Sequence, residues 1–482
     1  MTRREPAVLG IDLGTTEVKA GVLTLDGRLL GLARSGYGLD TSGGDGWAEQ
    51  DPGAWWSAVV GAVRALRASD LAEIAAIGVD GHGPTLVAVD ARGEATRPAI
   101  TFLDTRAGAE AAGLAAATGV GGWSLGGLPA ALWVERHEPA VAAATRWYLS
   151  TWEWLAFRLS GVASSPLVPD QAVPDQDRVS AAGVPADRLP PTSSMGTVVG
   201  GLTATAADAL GLEPGIPVVG GTVDAFASYL GAGLLEPGDA YDPGGSAGGF
   251  GVYWDRPVEV PGSFVTPAPL AGRYSVGAAM AATGRALDWY RDDILGTTIT
   301  TDALLAEAAA TPPGADGLVF LPYLAGERSP IWDPYARGVL AGLTLTHGRG
   351  HIARAIVEAS ALAIRHVAMP MLAAGVRVTA MRVCGGPARS AFWNAVKADV
   401  TGFTVLVPEV LETAVLGSAI LGAVGTGRYP DLPSAIGAMT RIGSRIEPRE
   451  DRRPIYDRLY AAYTGLYPAT SPVLRALQAV EA

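Results

Sequence analysis

The sequence predicts an α/β protein of two domains, and three observations support this prediction. The chain has 482 residues, which is more than a single ordinary hydrophobic core contains. Apolar stretches of strand length alternate with stretches of helical periodicity. An apolar strand that ends in an aspartate and a glycine turn occurs in each half, at 8–19 and at 241–249. We place the boundary at the Pro-Gly turn of residues 235–239, which gives domains of residues 1–236 and 237–482.

The first half opens with a predicted hairpin and a predicted helix. Asp26-Gly27 is a strong turn signal between two apolar stretches. Asp51 and Pro52 are typical of a helix start, and apolar residues recur at helical spacing as far as Arg67. The strands expected in this half are residues 7–11, 18–25, 74–79, 85–89 and 216–219.

The second half is expected to repeat the order of elements that opens the first. A strand, a glycine turn and a returning strand follow residue 239. Helices are expected near 284–293 and over 348–374, with a strand at 377–383 and a further helix after Gly386. The repetition is one of element order, because the two halves share no repeated sequence.

The composition limits the partners and the compartment. The 49% hydrophobic and 17% charged fractions are typical of a folded enzyme. The formal net charge of −12 disfavours nucleic acid or an anionic membrane as a partner. The single cysteine, Cys384, excludes an internal disulfide framework. With no secretory signal and no uncharged apolar run of about 18 residues, we expect a cytoplasmic protein without a membrane span.

Lysine is scarce in this chain. Only Lys19 and Lys397 are lysine among 36 basic residues, so 36 − 2 = 34 are arginine. Such depletion is more typical of genomic base composition than of function. The lysine kept at position 19, beside the first glycine turn, is therefore a candidate functional residue.

The first glycine turn has the composition of an anion-binding loop. The backbone N–H groups of Gly14, Thr15 and Thr16 can form an anion nest, and the two hydroxyls add donors. An ordinary hairpin turn accounts for these residues equally well. A second turn of similar type, at 244–246, suggests two loops that grip a polyphosphate, which indicates phosphoryl transfer. The chain contains no G-x-x-x-x-G-K-[ST], so it is not a P-loop enzyme.

Two aspartates end apolar strands. Asp12 can hold Mg²⁺ through water, or it can simply cap the turn. Asp224 can accept the proton of an attacking hydroxyl during phosphoryl transfer. A helix N-cap is the more common role for an aspartate at such a junction.

Several separated motifs, taken in order, resemble the FGGY family of carbohydrate kinases, a branch of the actin–hexokinase ATPase superfamily. The similarity is greatest to the xylulokinase branch of that family. The motifs are Asp12-x-Gly-Thr-Thr-x-x-Lys19, Trp47-Ala-Glu-Gln-Asp-Pro52 with Trp55-Trp56, Gly220-Gly-Thr-Val-Asp224-Ala225, Leu321-Pro-Tyr-Leu-Ala-Gly-Glu-Arg-Ser-Pro330 with Asp333-Pro-Tyr-Ala-Arg-Gly338, and the set from Gly385-Gly386 and Ser390 to Leu416-Gly-Ser-Ala419.

The resemblance implies two ribonuclease-H-like domains of the actin-like ATPase type that flank a deep catalytic cleft. It implies ATP as the phosphoryl donor and Mg²⁺ as cofactor, with Asp12 organising the metal and Asp224 acting as catalytic base. The nucleotide-binding residues that it implies are Gly14, Thr15, Thr16, Lys19, Gly244, Gly245, Ser246, Gly284, Asp288, Gly385, Gly386 and Ser390.

The expected substrate contacts are Asp224, His82, Asp104, Arg106 and Trp47. Asp104 and Arg106 can equally form an ion pair in the wall of the site, and Trp47 can stack on a sugar face. Glycerol kinases carry Gln-Arg-Glu, and xylulokinases usually Gln-Met-His, where this chain has His82 followed by Gly-Pro. The missing Arg-Glu pair disfavours glycerol as the substrate.

The expected function is therefore ATP-dependent phosphorylation of a small sugar, with D-xylulose as the leading substrate. A kinase for gluconate, a tetritol or another polyol is the alternative among enzymes. A nucleotide- and sugar-binding regulator with degenerate kinase activity is the alternative of another class, because Gly245 replaces the threonine of many family members. The expected partners are the sugar and ATP, and a homodimer is left open.

Overall fold

The computed structural model describes residues 5–67, 72–245, 247–296 and 299–481. It divides into two compact units, and each unit contains several chain segments. Unit 1 is Met1–Gly233, Pro267–Gly272 and Glu412–Thr440, and unit 2 is Leu234–Thr266, Arg273–Leu411 and Arg441–Ala482. The segment Glu412–Thr440 thus packs in unit 1, although the expected boundary at residue 236 assigned it to the second domain.

Unit 1 is built on a six-stranded sheet. The strands are β1 (Pro6–Leu13), β2 (Glu17–Thr24), β3 (Leu29–Gly36), β4 (Glu73–Gly81), β5 (Val198–Gly201) and β6 (Pro217–Val223). Their order in the sheet is β5-β6-β4-β1-β2-β3. Strands β1, β2 and β3 form an antiparallel meander, and β4 runs parallel to both β1 and β6. Strand β5 pairs antiparallel with β6 at the edge of the sheet.

The first helix of unit 1 follows the prediction from the sequence. Asp51 caps it by accepting the Gly53 N–H at 2.8 Å, and the helix ends at Leu66. The α-helices are Pro52–Leu66, Gly108–Thr118, Leu128–His137, Pro139–Ala144, Thr151–Ser160, Gln176–Ala182, Ala204–Leu210, Asp224–Ala232, Thr413–Gly425 and Leu432–Met439. Three short strand pairs complete the unit: Glu49–Gln50 with Ala99–Ile100, Val87–Val89 with Trp147–Leu149, and Ser165–Leu167 with Thr192–Ser194.

The helix Thr413–Gly425 lies directly against the sheet of unit 1 because glycines permit backbone contact. A Cβ atom on Gly78 in β4 would come within 1.8 Å of the Ser418 carbonyl oxygen. A Cβ atom on Gly417 would come within 1.8 Å of the Ala227 carbonyl oxygen, in the helix Asp224–Ala232. This close approach explains why a late segment of the chain belongs to the first unit.

Unit 2 repeats the central topology of unit 1. The strands of its sheet are β7 (Asp239–Asp242), β8 (Gly248–Trp254), β9 (Phe264–Pro267), β10 (Tyr274–Met280), β11 (Ala380–Val383), β12 (Val405–Pro408) and β13 (Ile442–Ile446). Their order is β9-β10-β8-β7-β11-β12-β13. Strands β7, β8 and β10 form an antiparallel meander, while β11 runs parallel to both β7 and β12. The expectation that both halves open with the same order of elements is confirmed.

The α-helices of unit 2 are Arg285–Trp289, Thr301–Ala310, Arg349–Ala373, Ala391–Thr401 and Arg453–Glu481. In the part of the chain that the structure describes, only Arg349–Ala373 is long and apolar enough to cross a membrane, although no such stretch was expected. However, 72% of its most apolar window is buried inside the protein. It also buries an ion pair, Arg354 to Glu358 at 2.8 Å, as the i,i+4 spacing predicts. These features identify it as a core helix of unit 2.

Candidate active site

Three neighbouring strands of unit 1 bring three aspartates to one edge of the sheet. Asp12 in β1 is the register partner of Asp80 in β4, and Asp80 is the partner of Thr222 in β6. Asp224 follows Thr222 by two residues, and the carboxyl ends of parallel strands meet at the same edge. Asp80 was not among the expected site residues, although its apolar strand also ends in an aspartate next to a glycine.

Asp12 and Asp80 form a buried pair of carboxyl groups, with 4% and 0% of each residue exposed. Ser418 Oγ donates to Asp80 Oδ2 at 2.5 Å, and Lys19 Nζ lies 3.5 Å from Asp12 Oδ2. Burial raises the pKa of both carboxyl groups, and the charge of Asp12 raises the pKa of Asp80 further.

Asp224 is the first residue of the helix Asp224–Ala232, and Val223 occupies the cap position. The alternative that Asp224 is an N-cap is therefore wrong. Its Oδ1 accepts the N–H of Ala225 at 2.7 Å. Burial, and then the charge of Asp12, raise the pKa of Asp224 to about 7. A carboxyl group with this pKa can exchange a proton near neutral pH, as a general base must.

Lys19 lies among three carboxylates. Its Nζ is 3.5 Å from Asp12, 3.8 Å from Glu17 and 3.8 Å from Glu412. Burial disfavours the charged lysine, but the carboxylates outweigh this effect and raise its pKa. Lys19 is thus a permanent cation whose charge partly balances the cluster. Glu412 was not expected here, because it lies almost 400 residues further along the chain.

The first glycine turn is held from one side through its carbonyl groups. Tyr37 donates its hydroxyl to the Gly14 carbonyl and its N–H to the Thr16 carbonyl at 3.1 Å. Gln50 Nε2 donates to the Thr15 carbonyl at 2.8 Å. Across the described ranges, no protein acceptor is recorded for the N–H groups of Thr15 and Thr16. The central N–H groups of an ordinary β-turn are equally free, so the anion-binding role of this turn stays a prediction.

His82 follows β4 and is buried, with 1% of the residue exposed. Its Nδ1 lies 3.1 Å from Thr85 Oγ1, which itself accepts the N–H of Phe102 at 3.3 Å. This arrangement favours a proton on Nε2, for which no partner is found among the described residues. Burial lowers the pKa of His82 to about 4, so the ring is neutral at physiological pH.

Trp47, Asp104 and Arg106 lie together in a cluster whose polar groups are already engaged. The Asp104 carboxylate accepts the Ala48 N–H at 2.7 Å and the Arg106 Nε–H at 2.9 Å. Arg106 also pairs with Glu49 at 2.7 Å and covers the Trp47 ring at 3.5 Å from its centroid. These contacts favour the ion-pair alternative, so a substrate role for the three residues stays a prediction.

The second glycine turn, in unit 2, adjoins a buried ion pair. Asp242, at the end of β7, accepts the Gly244 N–H on Oδ1 at 3.0 Å and the Lys397 ammonium on Oδ2. Gly244 has a φ of +57°, and a Cβ there would lie 2.1 Å from the Cys384 carbonyl oxygen. Only glycine fits this position. Ser246 lies outside the described residues.

A small open cavity of about 10 Å³ lies beside this turn, within unit 2. It is lined by Asp242, Gly244, Gly245, Met280, Thr283, Gly284, Ser360, Ile364, Pro387, Trp393 and Lys397. The turn and Gly284 were expected near the nucleotide, whereas Lys397 was not. No residue pattern around position 397 distinguishes that lysine, which becomes notable only through its place beside Asp242.

The other expected nucleotide residues lie on unit 2 in different settings. Gly385 has a φ of +69°, and a Cβ there would come within 2.7 Å of the Pro243 carbonyl oxygen, while Gly386 is open to solvent. Ser390 caps the helix Ala391–Thr401 by accepting the N–H of Trp393 at 3.2 Å. Asp288 is exposed and pairs with Arg291 at 3.4 Å.

Glu327 and Arg328 brace the strand end that precedes Gly284. Glu327 Oε1 accepts the Ala281 N–H at 2.9 Å, and Arg328 Nη2 donates to the Met280 carbonyl at 2.6 Å. Burial raises the pKa of Glu327 to about 7. Contacts with the backbone therefore account for the position of these two side chains.

Known proteins are similar to most of this chain. The N-terminal domain of the FGGY family of carbohydrate kinases matches residues 7–231, and the C-terminal domain of that family matches 245–426. A xylulose kinase of Escherichia coli is 32% identical over 421 residues, which cover 82% of this chain and 84% of that protein. The chain belongs to the FGGY family of carbohydrate kinases.

Solved structures agree with this FGGY kinase in fold. A xylulose kinase of Rhodospirillum rubrum has a TM-score of 0.81 and 32% identity, covering 97% of this chain and 100% of that one. A gluconokinase of Bacillus subtilis is 27% identical over 489 residues, 95% of each chain. The resemblance drawn from the motifs, the α/β actin-like ATPase fold and the class of sugar phosphotransferase are confirmed. The family also implies ATP and a sugar as the two substrates.

Proposed function

We propose that this FGGY kinase transfers the γ-phosphoryl group of ATP to D-xylulose in the cytoplasm, with Mg²⁺ as cofactor. The observation that carries the proposal is the position of Asp224, which lies at the same sheet edge of unit 1 as Asp12 and Asp80. The sugar is suggested by the xylulose kinases that are 32% identical to this chain.

In the proposed mechanism, Asp224 accepts the proton of the attacking sugar hydroxyl. The hydroxyl oxygen forms a bond to the γ-phosphorus as the bond from that phosphorus to the β-phosphate oxygen breaks. The products are the sugar phosphate and ADP, and the proton leaves on Asp224. The N–H groups and hydroxyls of Thr15 and Thr16 are proposed to hold phosphate oxygens, since the turn directs its carbonyl groups elsewhere.

Asp12 is the proposed metal residue, and its surroundings fit Mg²⁺. The Oδ1 atoms of Asp12 and Asp80 are buried and receive no donor from the described residues. Mg²⁺ in kinases is usually held by one or two carboxylates together with water and phosphate. The described residues contain no group of three or more His, Cys, Asp or Glu side chains placed to hold a metal, so water and phosphate would have to supply most of the ligands. When bound, Mg²⁺ would offset negative charge on the phosphates.

His82 is the proposed sugar contact, because its Nε2 is a buried donor without a partner among the described residues. A sugar oxygen would satisfy this donor, and an apolar ligand would leave it unpaired. Trp55 and Phe102 flank the imidazole ring at centroid distances of 5.4 Å and 6.0 Å. They would shield the hydrogen bond from water.

The test is a coupled ADP-release assay with Mg-ATP across pentuloses, hexuloses, polyols and sugar acids. We expect the highest kcat/KM with D-xylulose. Highest activity with gluconate would mean that gluconate, not D-xylulose, is the substrate, while the assignment as a sugar kinase would stand. The gluconokinase relative makes gluconate the main alternative substrate. Slow, sugar-independent hydrolysis across the whole panel would refute the kinase proposal and favour a regulator. Gel filtration of the same preparation tests for a homodimer.

A further inference from the structure

The only two lysines of this chain pair with aspartates at corresponding places in the two units, although Lys19 lies in β2 and Lys397 in the helix Ala391–Thr401. Lys19 pairs with Asp12, at the end of the first strand of the unit 1 sheet. Lys397 pairs with Asp242, at the end of the first strand of the unit 2 sheet. Each aspartate is followed by a glycine turn. A chain with 34 arginines thus keeps lysine only where a strand-end aspartate meets such a turn.

Lys397 is a buried cation with hydrogen-bonding capacity to spare. The residue is 2% exposed, and the Asp242 carboxylate beside it is also buried. An ammonium group has three N–H donors. Among the described residues, Asp242 Oδ2 is the single acceptor recorded for Lys397 Nζ. Burying an incompletely bonded ammonium is costly, so a further acceptor at this site would stabilise it.

The cavity beside the second glycine turn is where such an acceptor would lie. Lys397 and Asp242 line it together with Gly244, Gly245 and Gly284. Gly245 brings no side chain to the turn, so any cationic charge must come from elsewhere in the lining. Asp242 shapes the turn through the Gly244 N–H, but its negative charge alone would repel an anion.

We propose that Lys397 is a nucleotide-binding residue that donates to a phosphate oxygen at the second glycine turn. One N–H of the ammonium stays on Asp242, and another reaches the phosphate. The inference rests on the proposed function, because it assigns the cavity of unit 2 to the ATP and ADP of the kinase reaction. A compact ammonium suits this buried place better than the larger planar guanidinium of arginine.

The test measures nucleotide binding to the full chain without sugar. Isothermal titration calorimetry would compare ADP and adenosine for the wild type, Lys397→Met, Asp242→Asn and the double variant. We expect Lys397→Met to weaken ADP binding by about 10- to 100-fold, the usual effect of losing a hydrogen bond to a charged group. Adenosine binding should not change. Arg256→Met, which removes an exposed cation of the same unit, is the matched control.

In the double variant Asp242 no longer carries a charge, so a loss of ADP binding there reports the missing phosphate contact and not an unneutralised Asp242. The double variant also contains no unpaired buried charge, so it can be measured even if Lys397→Met alone does not fold. Weak ADP binding by the double variant supports the proposal. Wild-type ADP affinity in either Lys397→Met or the double variant overturns it. A wild type that binds ADP but phosphorylates no sugar would refute the proposed function and leave this inference standing. A wild type that binds no ADP would overturn the inference.

Discussion

The two units place an aspartate at the same point of the same topology and surround it in opposite ways. In unit 1, Asp12 lies beside Asp80 and near Asp224, and a half-buried lysine offsets only part of their charge. In unit 2, Asp242 at the end of β7 is matched by the buried Lys397. Burial and neighbouring charge raise the pKa values of the unit 1 carboxyl groups, and that of Asp224 is raised to about 7. The first arrangement suits proton transfer, and the second suits a fixed binding surface.

The cores beneath these aspartates differ as well. In unit 1 the helix Thr413–Gly425 touches the sheet through backbone atoms, because glycines face it. In unit 2 the helix Arg349–Ala373 packs on the sheet through side chains such as Ile364, Val367 and Met371. A backbone contact leaves no side chain that can adjust. We therefore expect substitutions in the helix packed on the unit 1 sheet to destabilise the protein more than substitutions in the corresponding helix of unit 2.

The largest effect is expected from Asp224→Asn. The amide keeps the shape but cannot accept the proton, so kcat should fall by about 10²- to 10⁴-fold. ADP affinity should stay within about twofold, because the cavity of unit 2 is untouched. Steady-state kinetics and calorimetry measure the two quantities, with Asp208→Asn on the surface of unit 1 as control. Near-wild-type turnover would show that Asp224 is not the catalytic base and that unit 1 does not carry the proposed proton transfer.

The pH profile gives the next largest effect. The folded pKa of Asp224 is raised to about 7, so the carboxylate needed as base is lost as the pH falls through that value. The kcat/KM for the sugar should drop about tenfold per pH unit below 7, roughly 100-fold by pH 5. Lys397→Met should leave the midpoint unchanged. A rate that is flat from pH 5.5 to 8 would contradict the assigned base.

Gly417→Ala tests the difference in packing. Its Cβ would lie 1.8 Å from the Ala227 carbonyl oxygen, so the helix must shift and the free energy of unfolding should fall by about 1–3 kcal/mol. Gly437→Ala is the matched control, because it lies in a helix of the same unit with nothing within 4 Å. That change should stabilise by about 0.4–1 kcal/mol. Urea denaturation measures both, and equal effects would show that the backbone contact is dispensable.

The smallest effect is expected from Gln50→Leu, which removes the donor behind the first turn. The Thr15 carbonyl loses its 2.8 Å hydrogen bond, and we expect the KM for ATP to rise about tenfold with a smaller change in kcat. Gln176→Leu, in an exposed helix of unit 1, is the control. An unchanged KM for ATP would mean that the turn does not depend on this brace.

Much of the fold and part of the site could be predicted because the signals are local. The strands that end in Asp12 and Asp242 and the helix that starts at Pro52 depend on residues close in sequence. The buried role of Gln50 was hidden, because a motif does not indicate which neighbour its side chain meets. The Asp104–Arg106 ion pair was one of the two expected alternatives, whereas the contacts with Ala48 and Glu49 could not be predicted, since they come from the distant segment at 47–49.

The sequence by itself determined the two-part α/β architecture, the paired strand–turn–strand openings and the family, because periodicity, glycine turns and ordered motifs are written in neighbouring residues. Only the tertiary structure decided which charges meet. Ser418 reaches Asp80 across 338 residues of chain, and Lys397 reaches Asp242 across 155. Such contacts depend on strand register and on where a distant helix packs. The difference in charge balance between Asp12 and Asp242 is therefore a property of the folded chain.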